Sequence, residues 1–188
     1  MTVFAITVIV VIAIIVIVVL GLVGMYNSFV KLKNNVEEAF ATMDVYLKKR
    51  FDLIPNLVQT VKGYATHESE TLDKVVRARS MIQSSSSQEE RLDNENLLSG
   101  TLRSLFAVSE AYPDLKANEN FLDLSDQLKR VEEDIANSRK YYNAVVKMYN
   151  TKREVFPSNI IAGMFHFDKK PLYEVVSQEE RENVKVEF

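Results

Sequence analysis

The side chains able to do chemistry in this chain are few. Its 188 residues hold two histidines and no cysteine. The absence of thiols excludes a disulfide framework, a thiolate nucleophile and cysteine-based zinc or iron–sulfur sites. A zincin helix needs a second histidine four residues after the first in H-E-x-x-H, but His67-Glu68 is followed by Thr71. A di-iron bundle needs glutamate three residues before histidine, where Tyr64 and Gly163 stand. Phosphate-cradling and dinucleotide glycine motifs are missing, as is the G-x-S-x-G elbow. Carboxylates are plentiful, but runs such as Glu132, Glu133 and Asp134 read as the solvated face of a helix rather than as an acid–base pair. The sequence therefore predicts no catalytic, metal or cofactor site. With 23 basic and 26 acidic residues intermixed and a net charge of −3, it also predicts no nucleic-acid partner.

A smaller group of polar residues interrupts otherwise apolar patterns. Arg50, Asp52 and Asn56 surround Pro55, while Arg79, Arg139, Asn143 and Asn150 stand beside apolar stripes. Two roles suit them: fixing helix register and satisfying backbone groups that a proline leaves open, or forming a docking surface for a protein partner at a kink. The first is the simpler reading.

The elements that must position these residues begin with an apolar run. Val3 to Met25 is interrupted only by Thr7, Gly21 and Gly24, and no charged side chain precedes Lys31. As a helix the run extends about 34 Å, enough for a hydrocarbon core of about 30 Å. Only Met1 and Thr2 precede it, it is too long for the core of a signal peptide, and Val19-Leu20-Gly21 is a poor cleavage site. It reads as an uncleaved anchor in the lipid bilayer. Gly21 and Gly24 are one residue too close for the G-x-x-x-G pairing motif. Lys31 and Lys33 just beyond the run favour an N-terminus outside and a cytoplasmic body. The mean hydropathy of −0.08 thus averages a membrane span with a charged body.

Past the anchor, glycine and proline are rare and helical periodicity dominates. Phe29, Leu32, Val36, Phe40, Met43 and Leu47 step by three and four with no breaker from Met25 to Phe51, so the anchor should run on into the body as one helix. A break or kink is expected between Arg50 and Pro55, with Asp52 capping the next helical segment. The next segment carries Leu57, Val61 and Tyr64, then Leu72, Val75, Arg79 and Ile82, with an interruption expected around Gly63 to Ser69. Ser84–Ser87 reads as a mobile loop, and Leu98, Leu102, Leu105 and Phe106 mark the next helix, ended by Tyr112-Pro113. The longest stripe extends from Phe121 through Leu128, Ile135, Tyr142 and Tyr149 to Phe156. The expected fold is all-α: an N-terminal transmembrane helix continuing into an antiparallel bundle of three to four long helices. The expected divisions are an anchor at 1–25, a bundle at 26–156 and a tail at 157–188, with a short apolar element from Ile160 to Phe167.

Several stretches together resemble the LemA family: Tyr26-Asn27 after the anchor, RFDLIPNLVQTVKGYATHE at 50–68, Val76-Arg77-Ala78-Arg79, AYPDLKANENF at 111–121, SRKYYNAVVKMYN at 138–150 and Phe156-Pro157. The serine-rich stretch at 84–90 departs from the pattern. The resemblance implies a bacterial single-pass membrane protein with a cytoplasmic helical bundle and no established enzymatic activity. It also implies a loose link to envelope maintenance and relatives among magnetosome membrane proteins. It supplies no catalytic residues. The resulting expectation is a non-enzymatic scaffold or adaptor of the envelope, with an unidentified protein partner or a second copy as its mate. The alternative is an envelope-stress sensor or regulator of a membrane enzyme such as a protease.

Overall fold

The computed structural model describes residues 2–174. It is all-α as expected, with no strand among the described residues. The helices run α1 Thr2–Tyr64, α2 Ser69–Ser84, α3 Gln88–Ser109, α4 Pro113–Lys116, α5 Glu119–Glu154 and α6 Ser158–Met164. The chain divides into two compact units. Among the described residues, one holds 2–40 with Tyr142–Lys170, the other Ala41–Tyr141 with 171–174. Positions 175–188 of the expected tail lie outside the described residues.

Helix α1 begins with a stretch of mean hydropathy 3.7, none of which is buried, long and apolar enough to cross a membrane. The helix then continues without interruption through Pro55. Of the break or kink expected there, the break is absent. Consequently Asp52 caps nothing; it pairs instead with Lys48 one turn back, at 3.0 Å on the exposed face. The helix ends at Tyr64 and α2 begins at Ser69, the interruption expected around Gly63 to Ser69.

In the first unit, Phe29, Val36 and Ala39 of α1, Tyr142, Val145 and Tyr149 of α5, and Ile161 and Ala162 of α6 are buried. Phe29 stacks on Phe167 with ring centres 4.8 Å apart and meets Tyr149 edge-on at 6.2 Å. Helix α6 stops where His166 adopts a left-handed φ of 53°, with Phe167 N–H donating to the Ala162 carbonyl at 2.9 Å. That pair is the Schellman arrangement, and histidine is among the residues that tolerate the left-handed region. The next few residues are strapped to α5. The Tyr149 hydroxyl donates to the Asp168 carbonyl at 3.0 Å and Arg153 Nε to the Phe167 carbonyl at 2.9 Å.

In the second unit the core is built from one stripe per helix: Ile54, Leu57 and Val61 of α1, Leu72, Val75 and Ile82 of α2, Leu98, Leu102 and Leu105 of α3, Leu115 of α4, and Phe121 and Leu128 of α5. Each fully buried leucine or isoleucine contributes roughly 1.5–3 kcal/mol through removal of its surface from water. Helices α2 and α3 form a tight antiparallel hairpin whose turn is chemically fixed. Ser87 caps α3 by accepting from Glu90 N–H at 3.1 Å, and Glu90 Oε2 accepts from the Ser86 amide and hydroxyl, each at 2.8 Å. These bonds hold the Glu90 carboxyl below its usual range, the Ser86 amide chief among them. The serine run is thus a short capped connection rather than a loose loop. Asn118 performs a similar task for α5, its Oδ1 accepting from Phe121 N–H at 3.0 Å.

Candidate functional site

The most polar place in the interior of the second unit forms around Arg50. This residue sits in the apolar stripe of α1 between Leu47 and Ile54 and is wholly buried. A guanidinium carries four terminal N–H groups, and each finds an acceptor. Nη1 donates to Ser99 Oγ at 2.5 Å and Glu132 Oε1 at 2.7 Å. Nη2 donates to the Glu95 carbonyl at 3.1 Å and to Glu95 Oε2 at 2.5 Å. Only Nε, also buried, has no partner among the described residues. The three helices α1, α3 and α5 are thereby tied at one level by a single side chain.

The electrostatics follow from unequal burial. The Glu95 side chain is 1% exposed, the Glu132 side chain 39%. Burial pushes the Glu95 carboxyl above its usual range, against the downward pull of Arg50. For Arg50, burial acts to lower the guanidinium, but Glu132 and Glu95 outweigh it and hold the group above its ordinary value. Tyr173, 2% exposed, lies within electrostatic reach of all three, and burial pushes its phenol up to about 12. Arg139 sits 5.4 Å above the Tyr173 ring. Asn96 Nδ2 donates to the neighbouring Glu174 carbonyl at 2.7 Å. Nearby, Arg91 pairs with Asp44, again joining α3 to α1.

A second polar cluster explains how α1 passes through proline. Pro55 has no N–H to donate to the Phe51 carbonyl four residues earlier. Arg79 of α2 fills that vacancy, donating from Nε at 3.3 Å, while its guanidinium lies 3.9 Å over the Phe51 ring. The helix therefore continues past the proline with an external donor in place of its own.

The residues singled out in the sequence accordingly separate. Arg50 and Arg139 meet in one cluster with Tyr173, and Arg79 serves the Pro55 turn. Pro55, Asn56 and Asp52 are exposed on α1. Asn143 is half-buried on α5, and Asn150 clasps the backbone of Lys170 from both sides, donating to its carbonyl at 2.9 Å and accepting from its amide at 3.0 Å. Glu95, Ser99, Glu132 and Tyr173 were not anticipated. Glu95 did leave a trace, because it occupies an inward position between Leu92 and Leu98. Tyr173 lies in a segment with no periodicity and left none.

Chemically, the Arg50 cluster is a closed knot. Its hydrogen-bonding capacity is directed inward and the buried guanidinium offers no reactive face. His67 and His166 are exposed, and no group of three or more histidine, aspartate or glutamate side chains suited to a metal ion occurs among the described residues.

Residues 39–188 match the LemA family. Among characterised proteins, the chain is 27% identical over 144 residues to Protein LemA of Metamycoplasma hominis, covering 74% of this chain and 64% of that one. It is 22% identical over 175 residues to the magnetosome proteins MamQ 1 and MamQ 2 of Paramagnetospirillum magneticum, covering 79% of this chain and 64% of each of them. The chain thus spans slightly less than two thirds of the length of these relatives.

Proposed function

The chain belongs to the LemA family, and from that premise we propose that it is a membrane-anchored helical scaffold or adaptor of the cell envelope without enzymatic activity. The apolar start of α1 crosses the bilayer once, with the N-terminus outside and the body on the cytoplasmic side, where Lys31 and Lys33 sit. One observation carries the reading. Arg50, the largest fully buried side chain of the bundle, is engaged in ties that join α1 to α3 and α5, and a protein built this way presents stable surfaces rather than reactive groups. The mate is a protein, either a second copy or another membrane component.

Cross-linking in intact membranes with subsequent affinity purification tests this proposal. A scaffold yields the same covalent product, a dimer or a defined heteromer, in every preparation. Recovery of the monomer alone would overturn it.

A further inference from the structure

Apart from the span itself, Tyr26 at its end and Met148 of α5, the exposed large apolar side chains of the first unit gather in one place. Val155, Phe156, Ile160, Met164 and Phe165 are 48%, 80%, 53%, 63% and 50% exposed, all within the short hairpin around α6. Isolated exposed apolar residues are ordinary, but a concentrated patch marks a surface that meets something other than water. Ile160 and Met164 are four residues apart and so share one face of α6. Ser158, Ile161 and Ala162, on the other side, are buried.

The resting place of α6 decides what that face meets. Ile161, Met164 and Phe165 line an apolar groove of about 270 Å³ together with Leu22, Val23 and Tyr26 of α1. The Tyr26 ring lies 4.8 Å from Phe165 and 5.8 Å from Phe167. Leu22 and Val23 are the last turn of the apolar run, and Tyr26 is the first aromatic with a polar tip beyond it. Such a residue is typical of the boundary between acyl chains and headgroups. Because α6 packs on these residues, it is held at the same depth. Adjoining the groove, and sharing Tyr26 and Phe165 with it, is a polar cavity of about 460 Å³ edged by Lys33, His166 and Lys170 with Asp168. The order along α1 is apolar groove first, cationic cavity next, which is the order of acyl chains and phosphates in a leaflet.

We infer that α6 and its flanking residues form a second, peripheral lipid contact, lying in the bilayer interface beside the exit of the span, with Phe156, Ile160, Met164 and Phe165 among the upper acyl chains. The occupant is lipid because the patch is continuous with the lipid-facing surface of α1. This inference rests on the span reading above. Its effect is to give the first unit two points of attachment to the membrane, a crossing helix and a short one lying in the plane.

The chain has no tryptophan, so single reporters are unambiguous. Ile160→Trp, Met164→Trp and, inside the span, Ile12→Trp are introduced separately into the full-length protein. Each is reconstituted in phosphatidylcholine–phosphatidylglycerol vesicles carrying bromine at a shallow or a deep acyl position. The inference predicts that Ile160→Trp and Met164→Trp lose most of their emission to shallow bromine and resist aqueous acrylamide, while Ile12→Trp is quenched by deep bromine. If Ile12→Trp is quenched by bromine but both α6 reporters respond only to acrylamide, the lipid contact is refuted and the span stands. If the α6 reporters are blue-shifted yet respond to neither quencher, protein covers the patch and lipid is refuted as its occupant. If Ile12→Trp itself escapes bromine, the span reading fails and this inference falls with it.

Discussion

Replacing Arg50 with methionine removes the cation and keeps most of the side-chain volume, so the consequence is electrostatic. Glu95, 1% exposed, loses the counter-charge that is hydrogen-bonded to it. Glu132, at 39%, can turn to water and adds little. Stranding one buried charge costs about 3–5 kcal/mol, a large share of a typical stability of about 5–15 kcal/mol. Far-UV circular dichroism of the detergent-solubilised full chain in urea would report it as a midpoint lower by roughly 1–5 M, for slopes of about 1–3 kcal/mol per molar. Burial already raises the Glu95 carboxyl in the native protein, and loss of Arg50 raises it further. A carboxyl raised in the fold is favoured when protonated, so its contribution is retained at acid pH and lost as pH climbs through the folded value. The deficit of Arg50→Met should therefore be larger at pH 8 than at pH 5. Burial outweighs attraction at Glu95, so the double variant Arg50→Met/Glu95→Leu should return to within about 1 kcal/mol of the native protein or exceed it. A single variant within about 1 kcal/mol of native, or a double variant as unstable as the single, would refute the reasoning.

Two further outcomes come from the same packing. Arg79→Leu should cost about 1–2 kcal/mol through the lost bond to the Phe51 carbonyl and the lost ring contact. In a Pro55→Ala background, where residue 55 regains its own N–H, urea titration should show a smaller cost; an equal cost in both backgrounds would mean that Arg79 does not serve the proline turn. Tyr173, pushed up to about 12, should contribute a late step to a tyrosine titration monitored by ultraviolet absorbance, and Tyr173→Phe should diminish that step. Its phenol is raised in the fold, so its stabilisation is complete below about pH 10 and is lost towards pH 12, by at most about 3 kcal/mol. Ionisation of every tyrosine in one step near pH 10 would contradict this.

The parts of the fold legible in the sequence were those governed by period. The stripes from Phe29 to Leu47 and from Phe121 to Tyr149 are buried or half-buried along their length because helical spacing alone decides which side chains face inward. The stripe fails at Phe156, which is 80% exposed because α5 ends at Glu154 ahead of Pro157. Pro55 misled for a different reason. The local rule is sound, but the missing donor is supplied by Arg79, 24 positions further along, and no local window contains both. Arg50 was visible as a polar interruption, whereas its partners were not, since the pairing of Arg50 with Glu95 and Glu132 depends on how helices meet. Glu132 in particular sits among acidic neighbours that do face water, and nothing in its sequence context distinguishes it.

Attachment through the apolar start of α1 is the premise of both the proposed scaffold role and the proposed interfacial contact of α6, and the most direct test of it is extraction. Membranes from cells expressing the full chain, or a form lacking residues 1–25, are washed in alkaline carbonate, which strips peripheral proteins and leaves integral ones. The full chain should remain in the membrane pellet and the shortened form should appear in the supernatant, its interfacial α6 being too weak to hold it. Release of the full chain by carbonate would contradict the account at its foundation.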